Sequence, residues 1–157
     1  MLVAEQGRNT MTVTVKRVFA ASPERVFDAW LNPERARRFL FTHPGKQEIV
    51  RVEIDARAGG RYLFVARRNG QDSDHFGEYL EIDRPRRLVF TLCVPAAWSE
   101  TARVQIDIVP IESGCELTLT HEGVLPELAS PVEEGWTTFM DLLHSQTDEG
   151  SSRTVAK

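Results

Sequence analysis

Cysteine is scarce in this chain: there are two among 157 residues, Cys93 and Cys115. That is too few, and too widely spaced, for a disulfide framework. No apolar run approaches the ~20 residues needed to span a bilayer. The opening MLVAEQGRNT lacks the basic region and apolar core of a secretory signal, so a cytoplasmic location is expected. Positive charge is not in excess either. The net charge is −4, which gives no electrostatic reason to expect a nucleic-acid partner. The arginines at 35, 37 and 38 and at 84, 86 and 87 read as solvated surface. His43, His75, His121 and His144 are scattered, with no His-x-x-x-His pair and no clustered cysteines, so no metal is expected. Asp72, Asp74 and His75 lie beside Asn69-Gly70, where such residues form turns. Gly59-Gly60 has no helix start and no Lys-Ser or Lys-Thr after it, which removes a phosphate loop and leaves a corner. Neither a repeat nor a linker is visible, and no cofactor is implied.

What is present is one globular domain's worth of chain. Hydrophobic residues make up 41% and charged residues 27%, ordinary values for a soluble fold and against disorder. A chain of this length buries roughly 70% of its unfolded surface. The stretch from Gly59 to Phe90, GGRYLFVARRNGQDSDHFGEYLEIDRPRRLVF, carries a Gly-Gly corner, an Asn-Gly turn and an Asp-Arg-Pro-Arg turn. Those turns fold three hydrophobic runs back on one another as an antiparallel meander, because Asn-Gly supplies the positive φ angles that match strand twist. The run from Thr12 to Ala20 alternates and is β-branched, a first strand. Further strands are expected at about 48–57, 60–68, 73–82, 87–94, 101–110 and 114–122, joined at Gly59-Gly60, Asn69-Gly70, Asp83 to Arg86, Pro95 to Glu100 and Ser113-Gly114. Val104, Ile106 and Ile108 face one way and Arg103, Gln105 and Asp107 the other, so the sheet has one covered and one wet face. On this reading Cys93 and Cys115 lie two strand spacings of ~4.8 Å apart. That exceeds the ~7 Å limit of a disulfide, and both are expected as free thiols.

Two short helices follow the first strand. Ser22-Pro23-Glu24 opens one, with Pro23, Val26, Phe27 and Trp30 on a single stripe, and Asn32-Pro33-Glu34 opens the next. The cover of the sheet comes last. Ser130-Pro131-Val132-Glu133 fits a capping box, and Val132, Trp136, Phe139, Met140 and Leu143 recur at helical spacing to about Gln146. Such a helix runs roughly 24 Å, enough to cross several strands. Residues 1–11 read as a flexible leader, 12–146 as the domain and 147–157 as a disordered tail. The sheet closes by curling around the last helix, with the short helices plugging an end. Either a cavity is left between helix and sheet, or the same aromatics pack it solid. Gly135, inside a helix where it costs ~1 kcal/mol against alanine, marks close packing or approach to a ligand.

The elements VKRVFAASPERVFDAW, NPE, GGRYLF, GEYLEIDRPRRLVF, LTLTHEGV and EGW, in this order, resemble the activator of heat-shock protein 90 ATPase homologue-like family, over about Thr12 to Leu143. That family lies in the START and birch-pollen-allergen-like superfamily. The resemblance implies an α+β helix-grip fold, a curved antiparallel sheet of six to seven strands wrapped around the C-terminal helix. It further implies a ligand cavity or a chaperone-binding surface. Where relatives carry a tryptophan pair after Asn-Pro, this chain has ERARRFLF.

The functional expectation is binding of a small hydrophobic or amphipathic ligand, as monomer or homodimer. Its apolar lining would be Tyr62, Phe64, Phe90, Leu92, Val104, Ile106, Leu119, Trp136 and Met140. Three ionisable residues share the parity of apolar neighbours: His121 after Leu117 and Leu119, Glu78 between Phe76 and Leu80, and Arg17 after Val13 and Val15. Glu78 and His121 are candidate polar anchors, or the acid and base of a polyketide cyclase-like enzyme. Alternatively they reach water at strand ends, or Glu78 pairs with Arg17. Gly77 and Tyr79 form the competing inward set on that strand. A co-chaperone module, the remaining class, would use an exposed patch and need no cavity.

Overall fold

The computed structural model describes residues 10–97 and 101–148. Strand β1 (Met11–Phe19) leads into helices α1 (Pro23–Leu31) and α2 (Pro33–Ala36). Strands β2 (Glu48–Ile54), β3 (Arg61–Arg68), β4 (Gln71–Asp83), β5 (Arg87–Leu92), β6 (Ala102–Ile111) and β7 (Gly114–Val124) follow. A 3-10 turn (Pro126–Leu128) then enters the long helix α3 (Ala129–Thr147). Among the described residues the seven strands form one antiparallel sheet in the order β1-β7-β6-β5-β4-β3-β2. This is the expected α+β arrangement. The expected leader and tail lie almost wholly outside the described residues.

The short helices start where their caps dictate. The Ser22 hydroxyl accepts from the Arg25 amide at 3.1 Å. The Asn32 side chain accepts from the amides of Glu34 and Arg35 at 2.9 and 3.2 Å, satisfying two donors that a helix start leaves orphaned. The α1 stripe, Val26, Phe27 and Trp30, is buried. At α3 the expected capping box is not formed. The helix begins one residue before Ser130, continuous with the 3-10 turn, and no side chain caps it. Pro131 falls within the first turn, where its missing N–H deprives the helix of nothing. The stripe Trp136, Phe139, Met140 and Leu143 is buried against the sheet.

The sheet curls because β4 serves two neighbours. Its first half pairs with β3, from Arg68↔Gln71 to Arg61↔Glu78, and its second half pairs with β5, with a register shift between Tyr79 and Glu81. The hinge is Gly77: a Cβ there would lie 1.9 Å from the Thr91 carbonyl oxygen. Thr91 holds this crossing from both sides. Its hydroxyl accepts from the Glu78 amide at 2.9 Å and its carbonyl from the Tyr62 hydroxyl at 2.6 Å. Strand β2 ends at Ile54, short of the expected 57, because residues 55–60 form a tight turn in which Gly59 has φ +86° and Gly60 sits against the Asp55 carbonyl.

The middle of the inner face is a buried apolar core. Val104, Ile106, Leu117, Leu119, Met140 and Leu143 are fully buried. The far end of α3 is tied to the start of the chain. Arg25 donates to the Thr147 carbonyl at 3.0 Å, and the Ala20 amide to the Asp148 carboxylate at 3.2 Å. Arg35 and Gln146 bond reciprocally. Cys93 and Cys115 are free thiols.

Candidate functional site

A cavity of about 460 Å³ opens at the other end of the grip, between the first half of α3, the segment before β2 and the β3–β4 hairpin. Its apolar wall is Phe41, Leu92, Val94, Val132, Trp136 and Phe139, and its polar groups are His43, Gln47, Arg68, Ser73, His75 and His121. Among the described residues, no aspartate or glutamate lines it.

Each wall has a local cause. Phe41 is held at φ +60°, a conformation a bulky side chain rarely adopts. The Gln47 amide donates to its carbonyl at 2.8 Å, and His43 and Gln47 exchange backbone bonds of 3.0 and 2.8 Å around Gly45. Segment 41–47 is thus a closed turn set over the cavity. It directs the Phe41 ring onto His75, with centroids 4.5 Å apart, and towards Phe64 and Phe139 at 5.3 and 5.8 Å. Phe139 in turn packs on His43 and Trp136. Gly135 leaves the roof open: a Cβ there would meet nothing nearer than the Phe139 ring at 4.0 Å. The glycine marks space, not the close approach its helical position suggests.

The three imidazoles are neutral at pH 7. Burial pushes His121 down to about 4. His75 is also pushed down to about 4, chiefly by burial, with the Ser73 carbonyl and Asp74 pulling upward and His43 downward. His43 is lowered by burial and by the nearby charges of Arg68 and Lys46. The Trp136 indole N–H donates to His121 Nδ1 at 2.9 Å. That bond occupies the nitrogen a proton would need and fixes the proton of the neutral ring on Nε2. His75 is 8% exposed, and its Nδ1 is buried with no hydrogen-bond partner among the described residues.

Of the residues expected to line a ligand, Leu92 and Trp136 do border this cavity. Tyr62, Phe64 and Phe90 surround a slit of about 10 Å³, too small for any ligand, and Val104, Ile106, Leu119 and Met140 are buried in the packed core. The expected inward parity of Glu78 is corrected. Glu78 is exposed with Phe76 and Leu80, while Tyr79 and His75 face inward. Glu78 therefore does not meet His121, nor does it pair with Arg17, which bonds Asp141 of α3 at 2.6 Å. His75, read as a turn former, is instead a buried wall of the cavity. The signal was in the turn. Asn69-Gly70 joins Arg68 directly to Gln71, which sets Phe64 opposite His75 and Ala66 opposite Ser73. Residues directly opposite share a face. His43, Gln47 and Phe41 carry no such signal, because their segment has no period. Although three histidines border one cavity, no three His, Cys, Asp or Glu side chains among the described residues are gathered as a metal ion requires.

A curved antiparallel sheet gripping a C-terminal helix, with a cavity under that helix, defines a helix-grip protein. Residues 20–146 match the family described as Activator of Hsp90 ATPase homolog 1-like protein, and the chain belongs to it. Protein CV1439 of Chromobacterium violaceum is similar in structure, at TM-score 0.80 and 27% identity over 87% of this chain and 96% of that one. Protein SA2116 of Staphylococcus aureus, of unknown function, aligns at TM-score 0.80 and 17% identity over 94% and 99% of the two chains. A relative from Aeromonas hydrophila, itself named as similar to these ATPase activators, aligns at TM-score 0.76 and 17% identity over 90% and 94%. Among curated proteins, none matches the chain.

Proposed function

We propose that this protein binds a small apolar or amphipathic molecule in the cavity beneath α3. The observation that carries the reading is the contrast within one core: the inner face is packed solid around Val104, Ile106 and Leu119, yet about 460 Å³ stands open beside Trp136 and Phe139. Rings left facing an open volume forfeit contacts that an apolar occupant restores. The free thiols of Cys93 and Cys115 suit a reducing compartment, and the cytoplasm is the proposed location. The polyketide cyclase-like alternative lacks its acid–base pair, since Glu78 and His121 lie on opposite faces of the sheet.

The test is titration with a neutral apolar dye, N-phenyl-1-naphthylamine, whose fluorescence rises on burial. Native protein is expected to bind it, and Gly135→Leu, which puts a side chain into the open roof, to lose at least about tenfold in affinity. Absence of dye binding by a folded protein sinks the proposal. The family name favours a second reading, a co-chaperone that uses its outer surface. Stimulation of an Hsp90 ATPase by protein that binds no dye transfers the assignment to it.

A further inference from the structure

Three of the cavity's six polar groups, Arg68, Ser73 and His75, lie along one hairpin. Phe64, Ala66 and Arg68 alternate inward on β3, and His75, Ser73 and Gln71 stand opposite them on β4. The strands rise ~3.3 Å per residue, so Arg68 starts about 13 Å beyond the level of His75, towards the Asn69-Gly70 tip. His75 is thus deep, Ser73 intermediate and Arg68 at the rim, where its side chain is exposed. Its neighbour Arg67 is paired with Asp72 at 2.7 Å. Arg68 has no carboxylate partner among the described residues. Among the described residues, a chain of net charge −4 has therefore lined its open cavity with one unpaired cation and no acid. At the deep end, the buried His75 ring packs on Phe41, with centroids 4.5 Å apart. Between the two, the walls are the flat faces and edges of Phe41, Trp136 and Phe139.

We propose that the cavity takes an aromatic acid, its carboxylate at Arg68 and its rings against Phe41, Trp136 and Phe139. The proposal rests on the cavity reading above and narrows it. One guanidinium at the rim matches one carboxylate, whose bidentate geometry it fits. Aromatic walls favour an aromatic body over an alkyl chain, because ring–ring contacts add to area burial.

Displacement of bound N-phenyl-1-naphthylamine separates these statements. In native protein 2-naphthoic acid is expected to displace the dye at about tenfold lower concentration than neutral 2-naphthylmethanol. The acid-to-alcohol ratio should fall to about one in Arg68→Gln. Decanoate should displace more weakly than 2-naphthoic acid. Equal displacement by acid and alcohol, or a preference that survives Arg68→Gln, overturns the rim assignment. Decanoate matching the aromatic acid overturns the aromatic body. Dye that never binds removes the cavity reading itself, and a dye that binds while the acid shows no advantage removes only this inference.

Discussion

His121 and His75 are held neutral by the same cause, burial, but they differ in what completes them. His121 Nδ1 is occupied by the Trp136 indole, so this imidazole acts as a strut between β7 and α3. His75 Nδ1 is left without a hydrogen-bond partner among the described residues. Both consequences can be read in acid. Each folded pKa of about 4 lies below the ordinary 6.5. As pH falls through 6.5 the unfolded chain takes up protons that the native protein refuses, so stability declines. The loss continues down to about pH 4 and then levels for these groups. It amounts to up to about 3 kcal/mol for each histidine, less whatever water reaches the cavity in acid. Urea unfolding at pH 7 and pH 5 measures it. His75→Phe should remove about half of the slope, and a slope unchanged in that variant would show that other groups carry it.

Two glycines do opposite work at the level of the elements. Gly77 permits the crossing of β4 from β3 to β5, and the Thr91 backbone leaves no space for a Cβ. Gly77→Ala is expected to cost more than about 2 kcal/mol, since backbone must move to admit it. Gly135 faces open space with helical neighbours on both sides. Gly135→Ala should therefore stabilise the protein by up to about 1 kcal/mol, the helix-propensity difference alone. Thermal or urea unfolding of the two variants reads both signs. A destabilised Gly135→Ala would mean that the roof is closed.

At the scale of the whole molecule, one end of the grip is sealed and the other is open. At the sealed end Asp148 accepts from the Ala20 amide and from His144 at 2.9 Å, while Thr147 accepts from Arg25. Removing the chain after Gln146 deletes these acceptors and leaves the Ala20 amide and Arg25 without them. The expected loss is about 1–3 kcal/mol, measured by urea unfolding against a chain ending after Asp148. Truncation without effect would mean that α3 is seated by its apolar stripe alone. At the open end the aromatic cluster of Phe41, His75 and Phe139 faces the cavity, and ligand binding should raise the melting temperature by mass action.

The order of elements was legible along the chain because its signals are local. Ser22-Pro23 and Asn32-Pro33 start helices, Asn69-Gly70 turns a hairpin, and a period-two run such as Val104-Ile106-Ile108 has a covered face wherever it sits. Inward-facing residues are legible too when a turn fixes register, as the pairing of Phe64 with His75 shows. What those patterns leave open is which inward residues meet a void. Val104 and Trp136 carry the same apolar signal, yet one is sealed within the core and the other borders open space. The difference lies in how far the sheet curls at Gly77, where α3 crosses it, and how the aperiodic segment 41–47 folds over the end. Each of these is a contact between residues far apart in the chain. Local patterns selected the fold and its faces, and long-range packing alone decided where the cavity lies.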